Sequence, residues 1–388
     1  MLIEKKYSRL FWAFTVFLTA CVTPFTPKGV ESEEGSLVIE GDIIVNGDTK
    51  VYISLLRPLN SNSLVTYIKD ASVWVENQYG EKNAGSLTIV ANNSPYFLID
   101  TKTLSFDQLY KLCVTFEGKQ YESDFLTPFR TPNIDTIGFT VNETRTAVDF
   151  HVTTYGDDQS SMYYKWKYME DWEVVSPYST NIYYDTRTAR LNRYLSETPM
   201  LYCWKQSIST TLIAKTDQLQ KNIVNRQRLN TLYRGDDKIS YLYSMELYQM
   251  SISKEAFSYW SVLKKNTDEV GGIFAPQPSE LYGNIHCISN PEQRVLGYIS
   301  AGTCIVKRIF ATAQEIGIYV PYRCEPLDEN DLVEMVPLPT ITDYYNWGFR
   351  PVANFLEFED IQWLPQNCVE CTTRGTKNKP PFWPNDHI

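Results

Sequence analysis

Leu37-Val38-Ile39-Glu40-Gly41 and then Val51-Tyr52-Ile53-Ser54-Leu55 open the stretch whose reading decides the fold. Both runs are short, rich in β-branched and aromatic residues, and alternate in the period-two manner of a strand with one buried face. Ser72-Val73-Trp74-Val75-Glu76, Tyr96-Phe97-Leu98-Ile99, Tyr110 to Phe116 and Gln120-Tyr121-Glu122 continue the series to about Thr131. Asn46-Gly47-Asp48 and Glu117-Gly118-Lys119 supply hairpin turns between runs. Such spacing predicts about seven strands in a sandwich.

We therefore expect a mainly β chain, beginning with an immunoglobulin-like or prealbumin-like β-sandwich over 37–131. Thr127-Pro128 to Thr131-Pro132 marks its end. A larger β-rich domain is expected over 133–365. It starts with Thr136 to Val141 and Ala147 to Val152, followed by the aromatic run Met162-Tyr163-Tyr164-Lys165-Trp166-Lys167-Tyr168. Strands are expected to resume near Gly283 to His286, Val295 to Ser300 and Val306 to Phe310. One segment departs from period two. Ser253 can cap a helix over about 253–268, with Glu255 in its first turn and Ala256, Trp260, Leu263 and Thr267 on one face before Gly271-Gly272. Residues 366–388 read as a cysteine-containing tail. The 27 Tyr, 18 Phe, 9 Trp and 20 Pro suit pleated, half-buried surfaces with frequent turns.

Upstream, residues 1–20 read as a signal peptide. Lys5, Lys6 and Arg9 precede the apolar run Leu10 to Ala20, which is too short to span a bilayer. It closes in Leu18-Thr19-Ala20-Cys21, which resembles the lipobox of bacterial lipoproteins. Cleavage there would leave Cys21 as a lipidated N-terminus and 21–36, with Pro24, Pro27, Gly29 and three glutamates, as a tether. The full chain has a net charge of −10, and loss of residues 1–20 makes it −12, which disfavours nucleic acid and anionic lipid as partners. No later run is long and apolar enough for a membrane helix, so the expectation is anchoring, not spanning.

Export favours disulfides. With Cys21 acylated, seven cysteines remain, and Cys113, inside an apolar strand-like run far from the others, is the natural unpaired one. Cys287 and Cys304 flank a hairpin-like segment and are expected to pair. Cys203, Cys324, Cys368 and Cys371 are left with several connectivities. Cys368-Val369-Glu370-Cys371 lacks the surroundings of a redox dithiol and the second ligand pair of a zinc site, so it reads as a structural disulfide, internal or to Cys203 or Cys324.

Catalytic signals are weak. His151, His286 and His387 stand in no HExxH or GxSxG context and are assigned no role. Carboxylates cluster at Asp157-Asp158, Asp236-Asp237, Asp328 to Asp331 and Glu357 to Asp360, none with EF-hand spacing, and solvated loops are their simplest reading. No catalytic residue, metal or cofactor is expected beyond the covalent lipid on Cys21. Trp166, Trp172, Tyr178, Tyr183, Tyr184, Trp204, Trp347, Trp363 and Trp383 are candidate binding aromatics. Trp347 and Trp363 stand out because their surroundings read as loop.

The order of these features resembles a family of outer-membrane lipoproteins catalogued as domain of unknown function 4249. The lipobox, Leu37 to Gly41 and Asp70-Ala71-Ser72-Val73-Trp74-Val75 carry the resemblance at the start. Downstream it rests on Tyr202-Cys203-Trp204, Leu263 to Thr267, Pro276 to Ser279 with Gly283-Asn284-Ile285, Asn290-Pro291 with Val295 to Tyr298, and Cys368 to Gly375 with Phe382-Trp383-Pro384. Cys287 and Cys304 stand outside that pattern. The resemblance implies a lipoprotein of the outer membrane that accompanies TonB-dependent receptors. Thr23 to Lys28 carry no acidic run directly after Cys21, which leaves both faces of that membrane open, the cell surface being the favoured one and the periplasmic face the alternative. It supplies no catalytic residues. The expected function is a non-catalytic accessory or binding subunit of a TonB-dependent receptor or other outer-membrane β-barrel. The competing expectations are an envelope glycan hydrolase using acids such as Asp331, Glu357 or Glu359, and a stand-alone glycan-binding adhesin.

Overall fold

Asn46 at φ 63°, and Glu117 and Gly118 at 48° and 72°, make the two turns anticipated from sequence. In this computed structural model the described residues are 36–56, 65–90, 93–157, 160–194, 200–216, 222–268, 281–327, 339–353 and 361–385. The segments expected to be a signal peptide and a tether, apart from Ser36, lie outside them with Cys21, as do Asp158, Asp328 to Asp331, Glu357, Glu359, Asp360 and His387. The fold is mainly β, with sandwich or barrel-like sheets, as expected.

Leu37–Gly41, Gly47–Leu55, Ser72–Asn77, Lys82–Thr88, Tyr96–Thr101, Tyr110–Phe116 and Lys119–Ser123 join one nine-stranded sheet. Alternation sends Val51, Ile53, Val73, Val75, Ile99, Leu112 and Val114 into a single core. Full burial of each such side chain is worth about 1.5–3 kcal/mol.

The remaining two strands of this sheet come from an unexpected place. Ile285–Cys287 pairs antiparallel with Lys119–Ser123, and Val295–Leu296 runs parallel to Leu37–Val38. These are the two edges of the sheet, and only residues 288–294 separate them in sequence, so the sheet curls round until its edges meet. The expected division at 131/133 is thereby corrected: 285–302, assigned by sequence to the second domain, completes the first. Asn284 holds the return in place by donating to the Ile299 carbonyl and accepting from the Ile299 amide, both at 2.9 Å. Gly297, at φ 135°, passes so close to the Ile39 carbonyl that a β-carbon there would stand 2.0 Å from its oxygen.

The second body is a sandwich of a three-stranded sheet (Ile134–Val141, Ala147–Tyr155, Ile223–Tyr233) and a five-stranded one built on Tyr163–Val175 and Leu242–Ile252. Phe150, Val148 and Leu229 meet Trp166, Tyr243 and Leu247 in its core. The aromatic strand is buried on both faces. Lys165, Asp171 and Glu173 point away from the sandwich core and are still buried. They are covered and paired: Lys165 reaches both Asp42 carboxylate oxygens at 2.6 and 2.5 Å, Arg308 donates to Asp171 at 3.0 Å, and Trp383 donates to Glu173 at 3.2 Å. Asp42 belongs to the first body, so the Lys165 pair clamps the two together.

The expected helix is Lys254–Asp268. Ser253 Oγ accepts from the Ala256 amide at 3.1 Å. Ala256 is fully buried, and Tyr259 packs on Tyr298 of the returning segment with ring centroids 5.2 Å apart. Among the described residues no helix is long and apolar enough to cross a membrane.

Disulfides join Cys203 to Cys371 and Cys324 to Cys368. Both cysteines of the CxxC thus bond outward, one to each of the partners considered from sequence. Cys113 is free and buried, as expected. The expected Cys287–Cys304 bond is absent, because Cys287 lies in the first core whereas Cys304 opens a strand of the second body.

One end of the first body carries four exposed aliphatic side chains among the described residues. Leu37 pairs with Leu55, the Leu56 amide bonds the Ser36 carbonyl, and the Leu55 amide bonds the Thr66 carbonyl. Thr88 and Tyr96 pair at this same end. Exposed there are Val65 (56%), Ile89 (64%), Val90 (42%) and Leu87 (38%), beside the point from which the chain leads back toward Cys21.

Candidate functional site

Ile182–Asp185 and Arg190–Arg193 form a hairpin whose turn holds Ala189 at φ 53°. Alternation buries Ile182 and Tyr184 against the C-terminal segment. Thr180 donates to the Pro351 carbonyl at 2.8 Å, and Tyr184 and Thr342 share a hydrogen bond of 2.7 Å. Between hairpin and C-terminal segment lies a recess of about 120 Å³, open to solvent and lined by Tyr183, Tyr184, Tyr194, Tyr345, Arg350 and Glu370, with Ile182, Met200 and Val369 among the apolar contacts.

The aromatic walls are braced in pairs. Tyr183 packs on Tyr194 with centroids 4.7 Å apart, and Tyr184 on Tyr345 at 5.0 Å. Arg350 lies over the Tyr345 ring at 4.0 Å, its Nε donates to Glu370 at 2.7 Å, and its Nη1 donates to the Tyr345 and Phe349 carbonyls. Gln366 Nε2 takes the other Glu370 oxygen at 2.6 Å. Charge is therefore balanced inside the recess. Burial, and after it the negative charge of Glu370, raise the Tyr194 pKa, so its phenol remains a neutral donor.

The disulfides hold this wall. Val369 and Glu370 lie between Cys368 and Cys371, each bonded to a different part of the chain. The Cys371 amide also bonds the Met200 carbonyl at 2.9 Å, and the Tyr178 amide the Cys368 carbonyl at 3.0 Å. A site braced in this way is preformed, which lowers the entropic cost of binding.

Of the aromatics singled out from sequence, Tyr183 and Tyr184 line the recess. Tyr178 is 39% exposed outside its lining. Trp347 is 48% exposed but does not line it. Trp363 corrects the expectation: it is 7% exposed in the strand Gln362–Pro365, its ring 5.3 Å from Tyr344, and is a packing residue. Trp166, Trp172 and Trp383 are likewise core, and Trp204 is half-buried. Sequence reasoning missed Arg350, Glu370, Tyr194 and Tyr345. Glu370 could have been noticed, since it sits inside the CxxC.

The described acids are engaged elsewhere. Glu170, 3% exposed, accepts from Tyr243, Asn230, Ser207 and Lys238, and Asp236 caps a short turn. His286 meets Asp124 at 3.1 Å on the surface. His151 contacts Thr140 and Arg226, with its pKa lowered by burial and then by Arg226. Among the described residues no group of three or more His, Cys, Asp or Glu is placed to hold a metal ion.

A family model described as Domain of unknown function (DUF4249) matches residues 22–308. The chain belongs to this family. No curated protein matches it. The DUF4249 match takes in the whole first body and the hairpin side of the recess. It stops within the strand Cys304–Thr312, so Tyr345, Arg350 and Glu370 come from sequence beyond it.

Proposed function

We propose that the chain is a lipid-anchored, non-catalytic binding subunit of the outer membrane. It docks on an outer-membrane β-barrel of the TonB-dependent receptor class and presents the tyrosine-lined recess to a ligand. The observation that carries this reading is the coincidence of Val65, Leu87, Ile89 and Val90 with the end of the first body that leads back to Cys21. Exposed aliphatic clusters mark interaction surfaces. A lipid on Cys21 would hold that end within about 50 Å of the membrane, the extended reach of residues 21–35. A barrel embedded in the same membrane is the partner within that range, and the lipid raises its effective concentration. Binding rather than acid–base chemistry is supported by the recess itself, where both Glu370 oxygens are already hydrogen-bonded.

The test is a mild-detergent pull-down of the tagged chain from its own outer membrane, read by mass spectrometry, beside Cys21→Ala and an Ile89→Asp/Val90→Asp variant. A barrel recovered in stoichiometric amount with the natural chain and lost with the aspartate variant is the expected result. Recovery of the chain alone overturns the reading.

A further inference from the structure

The recess limits the chemistry of what it can hold. An anion gains little, because Arg350 is neutralised by Glu370 at 2.7 Å. A cation gains little either, because the same pairing neutralises the Glu370 carboxylate. A purely apolar group would strand polar atoms: among the described residues the hydroxyls of Tyr183, Tyr194 and Tyr345 and the Nη2 of Arg350 have no hydrogen-bond partner. Covering such groups without partners costs about 1–3 kcal/mol each.

What remains is a neutral group with several hydroxyls and an apolar face. A vicinal diol suits the Arg350–Glu370 pair, since one hydroxyl accepts from a guanidinium N–H while its neighbour donates to a carboxylate lone pair still open. The C–H face of a saturated ring suits tyrosine, whose ring is apolar and whose hydroxyl both donates and accepts hydrogen bonds. Size agrees. A sealed cavity of about 150 Å³ takes a benzene ring. A recess of about 120 Å³ that is open to solvent therefore admits one six-membered ring, with the substituents that do not reach Arg350 and Glu370 directed outward, and has no room for a second ring within it.

We propose that this recess binds a single neutral sugar residue, through hydroxyls on Arg350 and Glu370 and ring contact with Tyr183, Tyr194 and Tyr345. The inference deepens the binding-subunit reading by naming a ligand class, but it does not require a barrel partner.

The experiment uses the full-length chain purified in a sugar-free detergent. Saturation-transfer NMR is run with methyl β-glucopyranoside, methyl β-galactopyranoside, methyl α-mannopyranoside and N-acetylglucosamine, with benzoate and benzylammonium as charged controls. At least one sugar should show transfer with a Kd on the order of 1 mM, as befits a single small ring, and neither ion should. Arg350→Lys and Tyr194→Ala should each weaken that binding about tenfold or more. Retention of both disulfides by mass mapping and an unchanged circular dichroism spectrum would show the recess framework intact. Absence of transfer from every sugar to the natural chain, or affinity unchanged in both folded variants, overturns the proposal. A failed barrel pull-down leaves it standing, so the two readings fail separately.

Discussion

Replacing Cys203 and Cys371 together by alanine should cost about 5 kcal/mol of stability or slightly more. The bond closes a loop of 168 residues. In the chain-entropy model a cross-link of that span removes roughly 17 cal/mol/K from the unfolded ensemble, or about 5 kcal/mol at 25 °C. Both residues are fully buried, so the truncation also leaves a small cavity, which adds to the loss. The corresponding figure for Cys324–Cys368, with a span of 44 residues, is about 4 kcal/mol. Guanidinium unfolding followed by near-ultraviolet circular dichroism measures both, with the surviving disulfide confirmed by mass mapping. The tail should loosen first, because loss of Cys371 removes its covalent tie to the Tyr202–Ile208 strand and leaves hydrogen bonds there, those of Thr376 with Trp204 and of Lys377 with the Tyr202 carbonyl. Stability within about 1 kcal/mol of the natural chain would refute the reasoning. A native disulfide between Cys287 and Cys304 would refute the structure on which it rests.

Other consequences are simpler. Lys165→Met, at a position 5% exposed, should destabilise by about 3–5 kcal/mol by leaving Asp42 without its partner, and limited proteolysis should then cut between the two bodies sooner. Ser253→Ala should cost about 1 kcal/mol by freeing the Ala256 amide, detectable as a lower unfolding midpoint. Burial pushes the Cys113 thiol up to about 12, so the folded chain keeps a proton that the unfolded chain loses near its ordinary value. The resulting stability is complete below about pH 8.5 and is lost as pH climbs through about 12. Cys113→Ala should flatten that alkaline decline, and native Cys113 should resist alkylation at pH 8.

Features set by neighbouring residues were legible in the sequence. Asn46-Gly47 and Glu117-Gly118 announce their turns because few residues tolerate positive φ, and Ser253 announces its helix because a hydroxyl satisfies an amide three positions on. Cys113 could be set apart because it lies within a continuous apolar strand. The return of 285–302 to the first sheet was not legible. Ile285, His286 and Cys287 carry nothing local that prefers Ser123, Glu122 and Tyr121 as partners over a hairpin neighbour. Pairing Cys287 with Cys304 followed from the same assumption of nearness, which the crossing between bodies defeats.

The recess follows the same division. Tyr183 and Tyr184 were visible only as two adjacent aromatics among nine candidates, and adjacency says nothing of what they face. Their function as walls depends on Tyr345 and Arg350, which arrive from the C-terminal segment, and on Glu370, whose position is fixed by two bonds to distant cysteines. Trp363 was misjudged because Pro351 and Pro365 make its surroundings read as loop, whereas they occupy a two-stranded edge pairing that tolerates proline. The CxxC was the strongest local signal in that region. It marks the recess without lining it through its sulfurs: the two disulfides hold the intervening Glu370 beside Arg350, and this neutral pair, not the cysteines, is the one to which the sugar is assigned in our proposal.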